Sequence, residues 1–132
     1  MQQVVWVTGA GSGIGAALVR GFAGAGYRVA LTARNRAALD EVAAGLPDGA
    51  DSLILPGDVT DRAGMARAAR EIAGWGGGLH ILCNNAGLNI PKRKWADLDW
   101  ESWDRLLAVN VTGALNVIAA CLPVMRAQNN GS

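Results

Sequence analysis

The feature that most constrains the fold of this chain is a run of alternating glycines. Residues 8–15 read TGAGSGIG, and every second position from Gly9 to Gly15 is glycine. Each glycine inside a helix or strand costs about 0.5–1 kcal/mol relative to alanine. Four glycines within seven residues therefore indicate that another group must come close to this backbone.

The residues around the loop predict a strand, a tight turn and a helix, and this order repeats along the chain. Predicted strands cover residues 4–7, 28–33, 53–55 and 79–83. Apolar residues at helical spacing follow each strand, and the last helix is predicted over residues 101–128. Strands that alternate with helices form parallel sheets covered on both faces. We therefore expect an α/β fold with a doubly wound parallel sheet, the Rossmann fold, truncated after the fourth strand and the long helix that follows it.

The charge and the cysteine content restrict which partners the protein could bind and where in the cell it is expected. The formal net charge of +1 gives no field that would attract nucleic acid or an anionic membrane. Cys83 and Cys121 stand far apart without a CxxC motif or a histidine cluster, which predicts neither a metal site nor a disulfide. We see no leader-like start and no apolar run of about 18 residues. A cytoplasmic protein is expected, with no nucleic-acid or membrane partner.

A glycine-rich turn between a strand and a helix is a site for an anion. Backbone N–H groups and the positive end of the helix dipole meet there. Two patterns overlap: Gly11, Gly13 and Ala16 fit G-x-G-x-x-[GA], while Gly9, Gly13 and Gly15 fit G-x-x-x-G-x-G. Both patterns are typical of loops that bind the pyrophosphate of a dinucleotide. The alternative is a merely flexible turn.

The end of the second strand bears on which dinucleotide is bound. Sites selective for NAD commonly carry an acid about twenty residues beyond the glycines. Here the strand ends in Arg34 and Asn35, and the first acid is Asp40, on a predicted helix. An arginine there can bind a 2′-phosphate through a charge-assisted bond of about 1.5–3 kcal/mol, which favours NADP roughly ten- to a hundredfold. NADP is predicted, with NAD as the alternative cofactor and a solvated Arg34 as the alternative for the side chain.

Four stretches, in this order, resemble the short-chain dehydrogenase/reductase family: TGAGSGIG at residues 8–15, Asp58-Val59, Asn84-Asn-Ala-Gly87, and Asn110 within VNVTG. The resemblance covers the whole chain, residues 1–132, as a single incomplete dinucleotide-binding domain, about the first half of the family's catalytic domain. It implies an oxidoreductase that transfers a hydride between nicotinamide and a small carbonyl or alcohol substrate. It also implies a homodimer or homotetramer.

The resemblance also assigns site residues. The loop that binds the pyrophosphate comprises Gly9, Gly11, Ser12, Gly13, Ile14 and Gly15, with Ile14 beside the nicotinamide half. Asp58 and Val59 would contact adenine, and Asn84, Asn85, Ala86 and Gly87 the adenosine ribose and the central sheet. Asn110 occupies a catalytic position whose backbone carbonyl holds a water of the proton relay. Structural alternatives are core packing for Ile14, helix capping for Asp58, a tie between strand ends for Asn85 and a sheet-facing hydrogen bond for Asn110.

The family's catalytic serine and Tyr-x-x-x-Lys groups are not found in this sequence. The sole tyrosine, Tyr27, is followed at the fourth position by Leu31, and neither Lys92 nor Lys94 has a tyrosine four residues before it. We therefore expect a fragment that binds NADP weakly, self-associates through an open fourth strand and transfers no hydride. Two other functions stay open: a non-catalytic dinucleotide-binding or regulatory module, and another doubly wound nucleotide binder such as a methyltransferase.

The basic segment PKRKW at residues 91–95 is the remaining local signal. A solvated loop is the simplest interpretation. The segment could instead line a substrate entrance, where its charge would favour an anionic substrate and Trp95 would face that substrate.

Overall fold

A parallel sheet forms the centre of the chain, as the alternation of strands and helices predicts. The computed structural model describes residues 2–132. Its strands are β1 (Val4–Thr8), β2 (Arg28–Thr32), β3 (Ser52–Ile54) and β4 (Ile81–Cys83). They lie in the order β3-β2-β1-β4, and all three pairings are parallel. The predicted doubly wound sheet is confirmed.

Helices cover both faces of this sheet. They are α1 (Gly13–Gly24), α2 (Arg36–Ala44), α3 (Arg62–Gly76), α4 (Trp100–Leu107) and α5 (Ala114–Ala127), with a π-helical turn over Ala108–Gly113 and a 3-10 turn over Trp95–Asp97. Side chains of β1 alternate between two cores. Val5 packs on the side of α1 and α2, whereas Trp6 packs on the side of α3 and α5. Both faces are buried because a parallel sheet is flanked by its crossover helices.

The fourth strand is shorter than predicted, because side chains take the hydrogen bonds of its expected first residue. Leu79 donates to Gln128 Oε1 at 3.2 Å, and Gln128 Nε2 donates to the Leu79 carbonyl. His80 joins β1 instead, since its N–H donates to Val4 O and its Nδ1 accepts from Val4 N, both at 3.0 Å. The ladder of β4 therefore begins only at Ile81.

The outer edge of β4 is partly paired. Ser132 N donates to His80 O at 2.9 Å, and Leu82 N donates to Ser132 O at 2.8 Å. These two bonds form one rung of a parallel ladder. The expectation of an open edge is therefore wrong at this rung.

The long helix predicted over residues 101–128 is continuous but changes pitch. The π-helical turn separates α4 from α5, and Asn110 lies within it. A distortion at this residue is what a polar side chain within an apolar stripe indicates. The turn matters for the site because it carries Asn110 towards the loop after β4.

The same continuous helix passes a length and hydropathy test for a membrane span. The stretch Trp100–Ala127 is 28 residues long and contains an 18-residue window with a mean hydropathy of 1.8, the one such helix within residues 2–132. The expectation that no apolar run of about 18 residues occurs holds for an unbroken run, since Asn110, Thr112 and Asn116 interrupt this helix, but not for the mean hydropathy of an 18-residue window. In the fold this helix packs against α3, and Asn116, Val117 and Cys121 are buried on the side that faces α3.

A buried hydrogen bond across the sheet gives a stability prediction. Trp6 Nε1 donates to Thr32 Oγ1 at 2.9 Å, and both residues are almost fully buried. Thr32→Val leaves the indole N–H without an acceptor and should lower the free energy of unfolding by about 1–3 kcal/mol. Urea unfolding of a double-mutant cycle with Trp6→Phe measures the pair. Equal costs of Thr32→Val in both backgrounds would contradict this interaction.

Candidate functional site

A cavity of about 630 Å³ opens at the carboxyl ends of β1, β2 and β4, within the size range of about 300–1,000 Å³ that ligand pockets have. Nine of the site residues predicted from the sequence line it: Gly9, Gly11, Ser12, Arg34, Asn35, Asp58, Val59, Ala86 and Gly87. Six other residues of the lining escaped prediction: Thr32, Ala33, Ala38, Gly57, Leu88 and Val109. In the sequence, these six residues are marked only by lying close to a predicted motif residue.

The glycine loop forms one wall of this cavity with bare backbone. Gly13 has a φ of +53°, which L side chains rarely adopt. Gly15 is buried where α1 approaches the loop, and a Cβ there would run into Gly9 O and lie 2.7 Å from Asn85 Nδ2. Gly9 has a φ of +64° as well, so the loop requires glycine for its conformation at Gly9 and Gly13 and for close packing at Gly15.

The start of α1 is open. Ser12 is its N-cap residue, yet the Ser12 side chain makes no capping bond and the first turn carries no acid. By contrast, Asn35, Asp61 and Asp99 cap α2, α3 and α4 through their side chains. The backbone N–H groups of the first turn of α1 are thus left to another acceptor, at the positive end of the helix dipole.

A clasp between Thr8 and Asn85 fixes the loop to the sheet. Thr8 Oγ1 accepts from Asn85 N and from Ala86 N, both at 3.0 Å. Asn85 Nδ2 donates to Thr8 O at 3.2 Å and to Gly9 O at 3.3 Å. Asn85 ties together the ends of β1 and β4 and lies outside the cavity lining, whereas Ala86 and Gly87 line the cavity.

Arg34 and Asn35 lie at the rim of the cavity, just beyond β2. Arg34 is exposed, and in the described part of the chain no carboxylate lies within 4.0 Å of its guanidinium. Asn35 Oδ1 accepts from Ala38 N at 3.2 Å and so begins α2. Asp40 lies on α2 and faces Arg36 at 3.8 Å. The rim therefore presents a cation and no acid of its own.

Asp58 lies beside this rim, since Gly57 N donates to Ala33 O at 3.0 Å between the two segments. Its Oδ1 accepts from Thr60 N at 3.0 Å and from Thr60 Oγ1 at 2.8 Å. The Thr60 N–H lowers the pKa of the Asp58 carboxyl most, the Thr60 hydroxyl and the Arg34 charge lower it further, and partial burial opposes them. Asp61, not Asp58, caps α3, so the capping alternative for Asp58 is wrong. Val59 beside it is buried.

Besides Asn85 and Asn110, four predicted residues lie outside the lining, and they fall into two groups. Gly13, Ile14 and Gly15 belong to the loop and the first turn of α1, and Ile14 is 72% exposed, so core packing does not explain it. Asn84 Nδ2 donates to Ala114 O at 3.0 Å, which joins the end of β4 to the start of α5.

Asn110 binds the loop that follows β4. Its Oδ1 accepts from Leu88 N and its Nδ2 donates to Leu88 O, both at 2.8 Å. The alternative of a sheet-facing bond is wrong, because both partners belong to a loop. Since Leu88 lines the cavity, Asn110 fixes one of its walls.

A second cavity, of about 500 Å³, lies beyond Leu88. Its lining comprises Asn89, Ile90, Arg93, Trp95, Leu98, Trp100, Trp103 and Leu106. Trp95 is 89% exposed, and Arg93 Nε donates to Ile90 O at 3.2 Å. The basic segment thus contributes Arg93 and Trp95 to a cavity that Trp100 and Trp103 also line, and not to the cavity at the glycine loop.

Comparison with known proteins matches residues 3–132 to the family described as short chain dehydrogenase. The chain belongs to this family. An uncharacterized oxidoreductase of Staphylococcus aureus is 36% identical over 130 residues, which cover 98% of this chain and 55% of that protein. The chain thus spans about half the length of the curated relatives it matches.

Solved structures agree with this assignment. NAD+-bound xylitol dehydrogenase superposes with a TM-score of 0.94 at 32% identity, covering 98% of this chain and 50% of that one. A metagenomic short-chain oxidoreductase in complex with NADP gives 0.85 at 32% identity, with coverages of 98% and 59%. The resemblance to the short-chain dehydrogenase/reductase family is confirmed, and the family indicates a nicotinamide cofactor.

The hydrogen bonds of Asp58 give a prediction of pH dependence. A carboxyl whose pKa is lowered by folding contributes stability above its unfolded pKa of about 3.9, and this contribution is lost as the pH falls through the folded value. Asp58→Asn should therefore be less stable than the parent at pH 7, with the gap closing below about pH 4. The gap should be small because Asp58 is partly exposed.

Thermal unfolding between pH 2.5 and 7 is the measurement for this prediction. Asp48→Asn, which removes an exposed carboxylate on the loop after α2, is the matched control. A stability gap for Asp58→Asn that grows on acidification would contradict the assignment.

Proposed function

We propose that this chain binds a nicotinamide dinucleotide, NADP in preference to NAD, as the cofactor-binding domain of an oxidoreductase. The reaction would transfer a hydride between nicotinamide and a small carbonyl or alcohol substrate. The observation that carries the preference for NADP is Arg34, an exposed cation at the cavity rim with no carboxylate within 4.0 Å among residues 2–132. NAD-selective sites commonly place an acid near this point.

The loop fits a pyrophosphate. Gly9, Gly11 and Ser12 line the cavity, and Gly13 and Gly15 shape the turn behind them. The uncapped first turn of α1 offers N–H groups to the anion, and a side chain at Gly15 would collide with the loop backbone. Ile14, exposed at the start of α1, would contact the nicotinamide half, which supplies or accepts the hydride when the cofactor is bound.

The rim fits the phosphorylated ribose of NADP. Arg34 would bind the 2′-phosphate with its planar donor fork, and Asn35 would contribute its N–H or amide beside it. The Arg34 charge acts on Asp58, with which it makes no ion pair, so a bound phosphate would give the guanidinium a direct charged partner.

The wall formed by Asp58 and Val59 fits adenine. Asp58 would accept from the adenine amino group while Thr60 holds its other bonds, and Val59 would line the ring. The adenosine ribose would contact the segment Asn84, Asn85, Ala86 and Gly87. Asn85 would act indirectly, by holding the glycine loop in place. The backbone carbonyl of Asn110 would hold a water of the proton relay, while the Asn110 side chain fixes Leu88.

A second candidate is a binding module without chemistry of its own. Tyr27 is the sole tyrosine, and its ring packs edge-on against Phe22 with centroids 5.2 Å apart, on the core of α1 and α2. This placement supports binding without proton transfer by this chain.

We also propose a cytoplasmic location, which the free thiols of Cys83 and Cys121 support.

The outer surface of the long helix supports a homodimer or homotetramer. Five exposed apolar side chains recur along it at helical spacing: Leu107, Val111, Leu115, Ile118 and Leu122. Contiguous apolar stripes of this kind mark interaction surfaces. We propose a second copy of the chain as the partner of this stripe.

A charge in the middle of the stripe tests this assembly. Leu115→Lys should shift the protein towards monomer, since a buried unpaired charge opposes association. Sedimentation velocity measures the change. Ala37→Lys, an exposed position on α2, is the control that should leave the assembly intact. An unchanged sedimentation profile for Leu115→Lys would exclude this stripe.

Removing the guanidinium of Arg34 tests the cofactor preference. Arg34→Ala should weaken NADP binding by roughly ten- to a hundredfold and leave NAD binding nearly unchanged, because only NADP carries the 2′-phosphate. Calorimetric titration with both cofactors provides the measurement. Arg36→Ala, which removes a neighbouring exposed arginine on α2, is the matched control. Equal losses for both cofactors, or none for NADP, would refute the role of Arg34.

A further inference from the structure

Asn116 is a buried polar residue that the family motifs leave unassigned. It lies on α5 with only 4% of its surface exposed. Its Nδ2 donates to Val59 O at 3.0 Å, and its Oδ1 accepts from Arg62 Nε at 2.9 Å. Arginine can only donate, so the amide oxygen must face Arg62 and the amide nitrogen must face the Val59 carbonyl.

One bond ends on the segment between β3 and α3, and the other ends on the start of α3. Val59 lies next to Asp58 in the cavity wall, and Arg62 is the first residue of α3. One side-chain amide therefore spans this turn at two points. Buried hydrogen bonds of this kind are costly to break, because each leaves a desolvated group without a partner.

The long helix also restricts the side chain of Val59. Gly113 is buried, and a Cβ built there would lie 2.5 Å from Val59 Cγ2. The side chain of valine is stiff at χ1, so Val59 has little room to move aside. Backbone and side chain of Val59 are thus both held by residues 113–116 of the long helix.

We propose that Asn116 is a positioning residue for the adenine wall, which sets selectivity for adenine by holding Val59 and, through it, Asp58. The proposal rests on the proposed dinucleotide site. It differs from a purely structural role in one respect: removing the Asn116–Val59 bond should change the preference between two bases, and not only the stability of the fold.

Asn116→Asp separates the two bonds. A carboxylate keeps an acceptor for Arg62, loses the donor to Val59 O and places two oxygens against each other. The probes are NADP and its deaminated analogue, in which hypoxanthine replaces adenine and the amino group is absent. The ratio of their affinities should fall about three- to tenfold, which is the range for one hydrogen bond. The ratio of NADP to NAD affinity should stay constant, because Arg34 is untouched.

Gln128→Glu is the matched control. It makes the same amide-to-carboxylate change at another side chain that bonds a backbone carbonyl, that of Leu79. This variant should lose stability without any change in the ratio of affinities. Gly113→Ala is a second test, which should lower the adenine preference by crowding Val59 and should also lower stability, because the new Cβ would lie 2.5 Å from Val59 Cγ2.

The outcomes of these titrations distinguish the proposed dinucleotide site from the positioning role of Asn116. A parent protein that binds neither dinucleotide would overturn the proposed function and this inference with it. A parent that binds NADP, with an unchanged base preference in both Asn116→Asp and Gly113→Ala, would overturn the positioning role alone. A fall in preference in either variant, absent in Gln128→Glu, supports it.

Discussion

The site depends on the clasp between Thr8 and Asn85. Four hydrogen bonds join the ends of β1 and β4 there, and two of the acceptors are backbone carbonyls of Thr8 and Gly9. The Asn85 amide lies so close to Gly9 and Gly15 that a Cβ at either would approach it within 3 Å. The Asn85 amide at the end of β4 therefore fits only because the loop residues that it touches have no side chains. The clasp leaves the first turn of α1 open to an anion.

The long helix positions the other walls. Asn110 in the π-helical turn holds both backbone groups of Leu88, and Asn116 holds the carbonyl of Val59. These two asparagines lie six positions apart and fasten two different loops of the cavity. A π-helical turn widens the helix and re-aims the side chains around it. Asn110 lies within this turn, whereas Asn116 lies on the regular helix α5 that follows.

Most of the fold could be predicted from the sequence because the alternation of strands and helices restricts topology strongly. The helix face of Met65, Ala69 and Ile72 was predictable from spacing, and all three are buried. The start of β4 was not, since Gln128 occupies the hydrogen bonds of Leu79 from 49 positions away. At the site, motifs indicate Asp58 and Asn110, whereas Asn116 carries no local signal because its partners lie more than 50 positions away.

Mapping of NADP binding by amide chemical shifts tests the central claim most directly, since a 13.6 kDa chain is well suited to this measurement. With a dinucleotide site at the glycine loop, NADP should move the amide signals of residues 9–15, Arg34, Val59 and Gly87. The signals of Gly77 and Ala127, at the opposite end of the sheet, should stay in place. Shifts confined to that opposite end, or no shifts at saturating NADP, would contradict a dinucleotide site at the glycine loop.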